Sequence, residues 1–253
     1  ELSPPLIASY EQARDASRQT QFHPLPKEVA EVVPAPRAWQ LTALSALSSL
    51  RAHRCERAVV TVATGMGKTW LAAFDIRAFA QSIGRRPRVV VIAHRSHILA
   101  QAERCLNRVL ESEFPNNHTS WFLAGESDMS GDLVLASVQK LSRPEGLARL
   151  KDESFDYALI DEVHHADAPS YRKILSQLKS RFVLGLTATP ERTDGVNIAS
   201  IFNDQIAYSA GIGEGIEDGV LVPFHYIGIR DTVNFEQVPW RNGRFDLTAL
   251  EEE

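Results

Sequence analysis

Cysteine is scarce in this chain, and so is an excess of positive charge. Cys55 and Cys105 are the two cysteines in 253 residues, too few for a disulfide framework, so an intracellular, cytoplasmic setting is expected. No apolar run approaches the roughly twenty residues that cross a bilayer, so no membrane span is expected. The opening Glu1-Leu2-Ser3-Pro4 lacks the basic start and apolar core of a secretory signal. Because the first residue is not Met, the chain reads as a fragment. Lys and Arg total 27 against 32 Asp and Glu, a net charge of -5. That excludes a surface built throughout to bind polyanions, but not nucleic-acid contacts confined to one small face. Internal repeats and low-complexity tracts are also missing. What remains, 44% hydrophobic and 23% charged, fits a globular protein with one large α/β domain and flanking segments.

Two strings carry the chemistry. The run Val59-Val60-Thr61-Val62-Ala63 is short, apolar and β-branched, so it predicts a buried strand. Gly65, Met66 and Gly67 follow after Thr64, and glycines let a tight turn close its N–H groups on phosphate oxygens. Lys68-Thr69-Trp70-Leu71-Ala72-Ala73-Phe74 then starts a helix, whose N-terminus favours an anion. In this pattern Lys68 reaches the β- and γ-phosphates of ATP and the Thr69 hydroxyl binds Mg²⁺. The general pattern has Gly where this chain has Val62. On the motif alone, a chance match or a P-loop kinase stays open. The strand–loop–helix setting favours a nucleotide over a plain βα turn, which does not require Gly-Lys-Thr.

The second string is Asp161-Glu162-Val163-His164, at the end of the apolar run Phe155-Asp156-Tyr157-Ala158-Leu159-Ile160. Ligands of an open parallel sheet collect at the carboxyl ends of its strands. Asp161 is placed to hold Mg²⁺, and Glu162 to orient the attacking water as general base. The expected geometry has Lys68 and Asp161 converging from neighbouring strand ends. His164 and His165 raise the question of a metal, but no Cys or third His lies at zinc spacing. A polar link from His164 toward the next strand's loop is the expectation.

At these residues the chain resembles the superfamily 2 helicases and translocases, in their first RecA-like domain, with Asp161-Glu162-Val163-His164 as the DExH box. Arg37-Ala38-Trp39-Gln40 resembles the adenine-reading Q motif, which puts Gln40 on the base edge and Arg37 near the ring. Motif Ia is matched by Val91 to Gln101 and motif Ic by Leu135 to Leu141, with Ser137 where Thr is usual. Motif III is Leu186-Thr187-Ala188-Thr189-Pro190. The resemblance runs from about Arg37 to Leu221 and is closest to bacterial helicases of the restriction-enzyme motor type. It implies a RecA-like P-loop NTPase fold with a central, mainly parallel sheet and helices on both faces. It also implies ATP and Mg²⁺ as ligands, and coupling roles for His164, Thr187 and Thr189. Nucleic acid, DNA before RNA, is expected to cross the opposite end of the sheet, against Arg95, Gln101, Ser137 and Gln139. A second RecA-like domain, which this chain lacks, completes such motors. The tail from Val238 to Asp246 resembles the lead into that domain in helicases that often carry a nuclease. An ATP-dependent binding switch without unwinding and an RNA helicase remain open.

Three segments are expected: an N-terminal helix and Pro-rich linker over 1–36, the ATP-binding domain over 37–222, and the start of a connection over 223–253. Strands are predicted to end near Ala63, Ala93, Leu123, Ala136, Ile160 and Leu186, with Val220-Leu221-Val222-Pro223 and His225 to Ile229 strand-like. The glycines of Gly211–Gly219 make a poor helix by propensity, although the family segment is usually helical. The Arg85-Arg86-Pro87-Arg88 cluster reads as solvated surface.

Overall fold

The computed structural model describes residues 33–115, 117–163, 169–188, 198–224, 240–241 and 244–245. Continuous apolar runs dominate its centre. Every residue of β2 (Val89–Ala93) and β6 (Phe155–Ile160) is buried, as are all but the first of β1 (Arg57–Val62). Strands of this kind belong to a sheet covered on both faces. With β3 (Thr119–Leu123), β4 (Glu126–Ser127), β5 (Leu133–Ser137), β7 (Ser180–Thr187) and β8 (Ile206–Ala210), they form an eight-stranded sheet in the order β4-β3-β5-β2-β6-β7-β1-β8. All neighbours are parallel except the β3–β4 pair.

Alternate side chains feed two cores. Ala58, Val60, Val62, Val91 and Leu159 pack with α1 (Ala38–Ala52), α2 (Lys68–Ile83) and α3 (Ser96–Leu110). Val59, Val90, Ile92, Ala158 and Ile160 pack with α4 (Val138–Leu141), α5 (Pro144–Asp152), α6 (Pro169–Gln177) and a 3₁₀ turn at Ile198–Phe202. The fold is therefore α/β with helices on both faces, as expected.

The sheet differs from its sequence reading at the margins. Edge strand β8 carries exposed Ile206 and no apolar run, and it was not foreseen. Residues 220–224 form no strand. The glycine-rich stretch does contain a helix, α7 (Ile212–Glu217). Glu214 caps it by accepting from Gly211 N at 2.9 Å, and Gly215 lets it approach Leu221 and Met66. Tertiary contact overrides propensity there. The expected N-terminal helix and the strand at His225–Ile229 lie outside the described residues. Of the expected connection, the paired strands β9 (Trp240–Arg241) and β10 (Arg244–Phe245) are described.

The arginine cluster between α2 and β2 is a clamp, which corrects its reading as solvated surface. Arg85 grips Asp156 at 2.6 and 2.8 Å, and Arg88 N–H donates to the same carboxylate at 2.9 Å. Arg88 also donates to the carbonyls of Met129 and Ser154 and pairs with Glu153. A second clamp is deeper. Arg51 of α1 makes a two-pronged bond to the fully buried Asp75 of α2 at 2.6 and 2.8 Å, and the Tyr157 hydroxyl of β6 donates to Asp75 at 2.7 Å. Three elements that lead toward the site are thereby tied together.

Candidate functional site

The loop after β1 sets the site's floor. Gly65 and Gly67 take φ of +88° and +95°, left-handed values that L side chains rarely adopt. Met66 between them is buried. A Cβ on Gly65 would stand 3.1 Å from Leu221, and one on Gly67 would stand 3.3 Å from the Gln40 amide. The loop is thus propped by the α7 segment on one side and by α1 on the other.

Gln40 is buried and bonded to main chain at both ends. Its Oε1 accepts from Arg37 N at 2.8 Å and its Nε2 donates to the Gly67 carbonyl at 3.1 Å. An amide has two N–H groups and two lone pairs, so one of each is left for a base edge. Arg37 lies exposed at the start of α1.

Lys68 opens α2 and curls back over the loop, donating to the Val62 carbonyl at 3.0 Å and that of Ala63 at 3.4 Å. Across from it, the end of β6 presents the acidic pair. Asp161 is anchored by its N–H to the Ile92 carbonyl at 3.0 Å and is 9% exposed. Glu162 has φ of 54° and donates its own N–H to Asp161 Oδ1 at 2.8 Å. The two carboxylates thus leave one turn with different exposure: Asp161 inward, Glu162 half-buried. A cavity of about 320 Å³ joins Thr64, Gly65, Gly67, Lys68 and Thr69 to Asp161, Glu162 and Thr187.

The strands that lead into Lys68 and Asp161 are not neighbours, which corrects the expected geometry. Strand β7 lies between β1 and β6. Its buried Thr187 pairs in register with Thr61 and so ends between the two motifs.

Burial pushes the Lys68 ammonium below its ordinary value, against the pull of Asp161 and Glu162. It pushes Asp161 up, against the Glu162 N–H and Lys68. On both partners desolvation outweighs attraction, the balance expected of charges drawn partly out of water. A cationic donor, a buried carboxylate and the Thr69 hydroxyl facing one cavity fit a magnesium–triphosphate: hard oxygen ligands for the ion, N–H and ammonium donors for phosphate.

The residues assigned to nucleic acid separate into two groups. Ala93 and Ser137 are partners across β2 and β5, so the loops beyond them lie side by side. Arg95 is exposed at the start of α3. Ser137 caps α4, accepting from Lys140 N at 3.4 Å, and Gln139 donates to the His94 carbonyl at 2.9 Å. Gln101 stands elsewhere. Its Nε2 reaches the Thr69 hydroxyl at 3.5 Å and it lines the phosphate cavity. The idea of an opposite end also needs correction. These strands are parallel, so the Arg95 and Ser137 loops share the carboxyl rim with the phosphate loop and are displaced only sideways. His164 and Thr189 lie outside the described residues.

Tyr171 of α6 was not foreseen. It is fully buried, with its ring stacked on His94 at 6.0 Å and 16°. A lone tyrosine in a helix after the acidic box gives no signal in sequence.

A parallel sheet with a phosphate loop, an acidic pair and a threonine-ended strand between them defines a P-loop ATPase motor lobe, the first RecA-like domain of a superfamily 2 helicase or translocase. Residues 34–192 match the family model "Type III restriction enzyme, res subunit", and the chain belongs to that family. It is 28% identical over 231 residues to the type I restriction enzyme EcoAI endonuclease subunit of Escherichia coli, covering 85% of this chain and 26% of that one. It is 29% identical over 140 residues to the DNA 3'-5' translocase XPB2 of Sulfurisphaera tokodaii, covering 55% and 28%. The SWI2/SNF2 ATPase core of Sulfolobus solfataricus, solved in complex with dsDNA, superposes with a TM-score of 0.54 at 21% identity, over 68% of this chain and 36% of that one. The chain spans about a quarter of the length of these two curated relatives. Among the described residues, no helix is long and apolar enough to cross a membrane.

Proposed function

We propose that this lobe binds and hydrolyses ATP to drive a DNA helicase or translocase. The observation that carries the reading is the single cavity in which Lys68 and Thr69 face Asp161 and Glu162. Lys68 holds the β- and γ-phosphates, and the N–H groups of the Gly65–Thr69 turn surround them. Thr69 and Asp161 hold Mg²⁺, which when bound neutralises charge that develops on the phosphates. Glu162, half-exposed and with a carboxylate that accepts no hydrogen bond among the described residues, orients and deprotonates the attacking water. Gln40 ties the base-reading helix α1 to the phosphate loop through Gly67. Thr187 stands between the two motifs, where a change at the γ-phosphate meets β7.

DNA is the proposed track, because the restriction-enzyme and translocase relatives bear names that concern DNA. Arg95, Ser137 and Gln139 on the sideways-displaced rim meet its backbone. Phosphate contacts of this kind position a strand without reading sequence. A second RecA-like domain, supplied elsewhere, completes the site, and a nuclease in the intact protein is in keeping with the EcoAI relative.

The test is ATP turnover by the intact protein with single-stranded DNA, duplex DNA and RNA. A strand-displacement assay and a roadblock-displacement assay accompany it. Stimulation by DNA with displacement in either assay is expected. Stimulation by RNA alone would reassign the track, and turnover without any displacement would make the protein a switch.

A further inference from the structure

Few contacts within the phosphate loop fix its shape. Gly65 and Gly67 bring no side chains, and the Met66 N–H reaches the Ala63 carbonyl only at 3.4 Å. Glycines at left-handed φ keep a freedom that other residues lack, so contacts from outside must hold the turn. Several come from the segment that follows β8. Where that strand ends, the Ala210 carbonyl accepts from Ala63 N at 3.1 Å. Two side chains then interlock the loop with α7. Met66 of the loop lies over Gly215, where an added Cβ would stand 3.3 Å from its Sδ. Leu221 lies over Gly65, its Cδ2 3.1 Å from the place of a Cβ there, and its Cδ1 stands 2.7 Å from the place of a Cβ on Gly215. Each glycine leaves the space that a side chain of the opposite segment fills.

Backbone geometry delivers Leu221 to this seat. Gly219, at φ of +65°, closes α7 by donating its N–H to the Ile216 carbonyl at 3.0 Å. The N–H groups of Val220 and Leu221 both donate to the Gly215 carbonyl, at 2.9 and 2.8 Å. Leu221 is half-buried against the core, while Val222 and Phe224 beyond it are exposed. A displacement of the chain after α7 therefore reaches the phosphate loop through Leu221. A loop already held in its bound form spares the ordering cost at binding, so affinity for phosphate depends on this wedge.

We propose that Leu221 is a positioning residue for ATP: seated between Gly65 and Gly215, it holds the phosphate loop in its phosphate-binding form and makes nucleotide affinity depend on how the chain after α7 is seated. The inference rests on the ATP-binding reading above and adds to it a regulation of the same site. By linkage, bound ATP tightens the seat in return.

Leu221→Ala in the intact protein tests it by removing both methyls. That frees about one residue's worth of backbone, so Kd for ATP is expected to rise by about tenfold. At saturating ATP, kcat stays within about twofold, because the lost contact serves ground and transition state alike. Leu221→Met refills the seat and is expected to keep Kd within about twofold of the parent. Gly215→Ala puts a methyl where Leu221 Cδ1 rests, in a helix that favours alanine, and is expected to raise Kd without emptying the seat. In the parent, a non-hydrolysable ATP analogue is expected to slow hydrogen exchange over residues 215–221. Unchanged Kd in Leu221→Ala overturns the proposal, and should that variant fail to fold, unchanged Kd in Gly215→Ala does so. A fall in kcat that matches the rise in Kd also overturns it, because that marks general packing. So does Leu221→Met binding as weakly as Leu221→Ala. Exchange that ignores the nucleotide overturns the dependence on the chain after α7. Failure of the ATP-binding reading looks different: the parent itself then binds no ATP, or Lys68→Ala binds it as tightly as the parent.

Discussion

At the scale of single residues, one backbone turn gives two adjacent carboxylates different settings. Asp161 continues inward from β6 and is nearly sealed from water. The φ of 54° at Glu162 swings the next side chain toward the cavity. Removing the proton acceptor while keeping size and hydrogen bonding isolates its role. Glu162→Gln in the intact protein should bind ATP with unchanged affinity and hydrolyse it about 10²–10⁴ more slowly. Equilibrium titration with a fluorescent ATP analogue and single-turnover kinetics separate the two effects. Lys68→Ala removes charged donors to phosphate, each worth about 1.5–3 kcal/mol. Affinity for ATP should therefore fall by about tenfold to a hundredfold or more, measured by the same titration. That Lys68 and Glu162 would face one cavity was legible in the sequence, because phosphate and magnesium chemistry restricts the residue types such a motif carries. Gln101 was not correctly placed by the same route. Membership of a motif string does not say which side of α3 meets which part of the rim, and the fold turned that side toward Thr69. Tyr171 was invisible because its burial against His94 is set by the fold and a lone tyrosine carries no motif.

At the scale of elements, charged clamps decide how the site's supports stay in register. Asp156 begins the strand that ends at the acidic pair. Burial alone would raise its carboxyl, but the Arg85 guanidinium and the Arg88 N–H more than reverse this and hold it below the ordinary value. A depressed folded-state value contributes stability that is present above the unfolded value and is lost as pH falls through the folded one. Asp156→Asn should thus cost about 1–3 kcal/mol near neutral pH, toward the lower end because Arg85 is more than half exposed. Denaturant melts should show the gap between parent and variant closing below about pH 4, as Asp156 protonates in the parent. The buried Arg51–Asp75–Tyr157 network is a harsher case. Asp75→Ala strands a cation and a hydroxyl between α1, α2 and β6, at a cost of about 3–5 kcal/mol. A melt of the variant that overlays the parent's would show that the network holds nothing together. Sequence could not reveal either clamp. Arginines in a loop look alike whether they face water or a carboxylate that arrives from a distant strand.

At the scale of the whole molecule, the central strands were readable as apolar runs because a sheet covered on both faces leaves its strands no polar side. The margins were not. Strand β8 has one neighbour and a wet edge, so its residues carry no periodic signal, and α7 forms where glycine propensity argues against it. The fold also bears on what the chain is expected to do by itself. The cavity is floored by the phosphate loop and walled by the acidic pair, and Arg95 is exposed on the rim rather than aimed into it. Among the described residues, Lys68 is the one cation that lines it. In related phosphoryl-transfer sites an arginine supplied from outside is worth about 10³–10⁵ in rate, because it meets charge that exists only in the transition state. In the proposed function Lys68 is engaged by the ground-state phosphates, which leaves that term to another cation. The 253-residue chain alone should therefore turn ATP over at least about 10³ more slowly than the intact protein saturated with DNA. Comparing the two in one coupled phosphate-release assay checks this. Turnover by the isolated chain that rises with DNA to the rate of the intact protein would show that the lobe already contains its own transition-state cation.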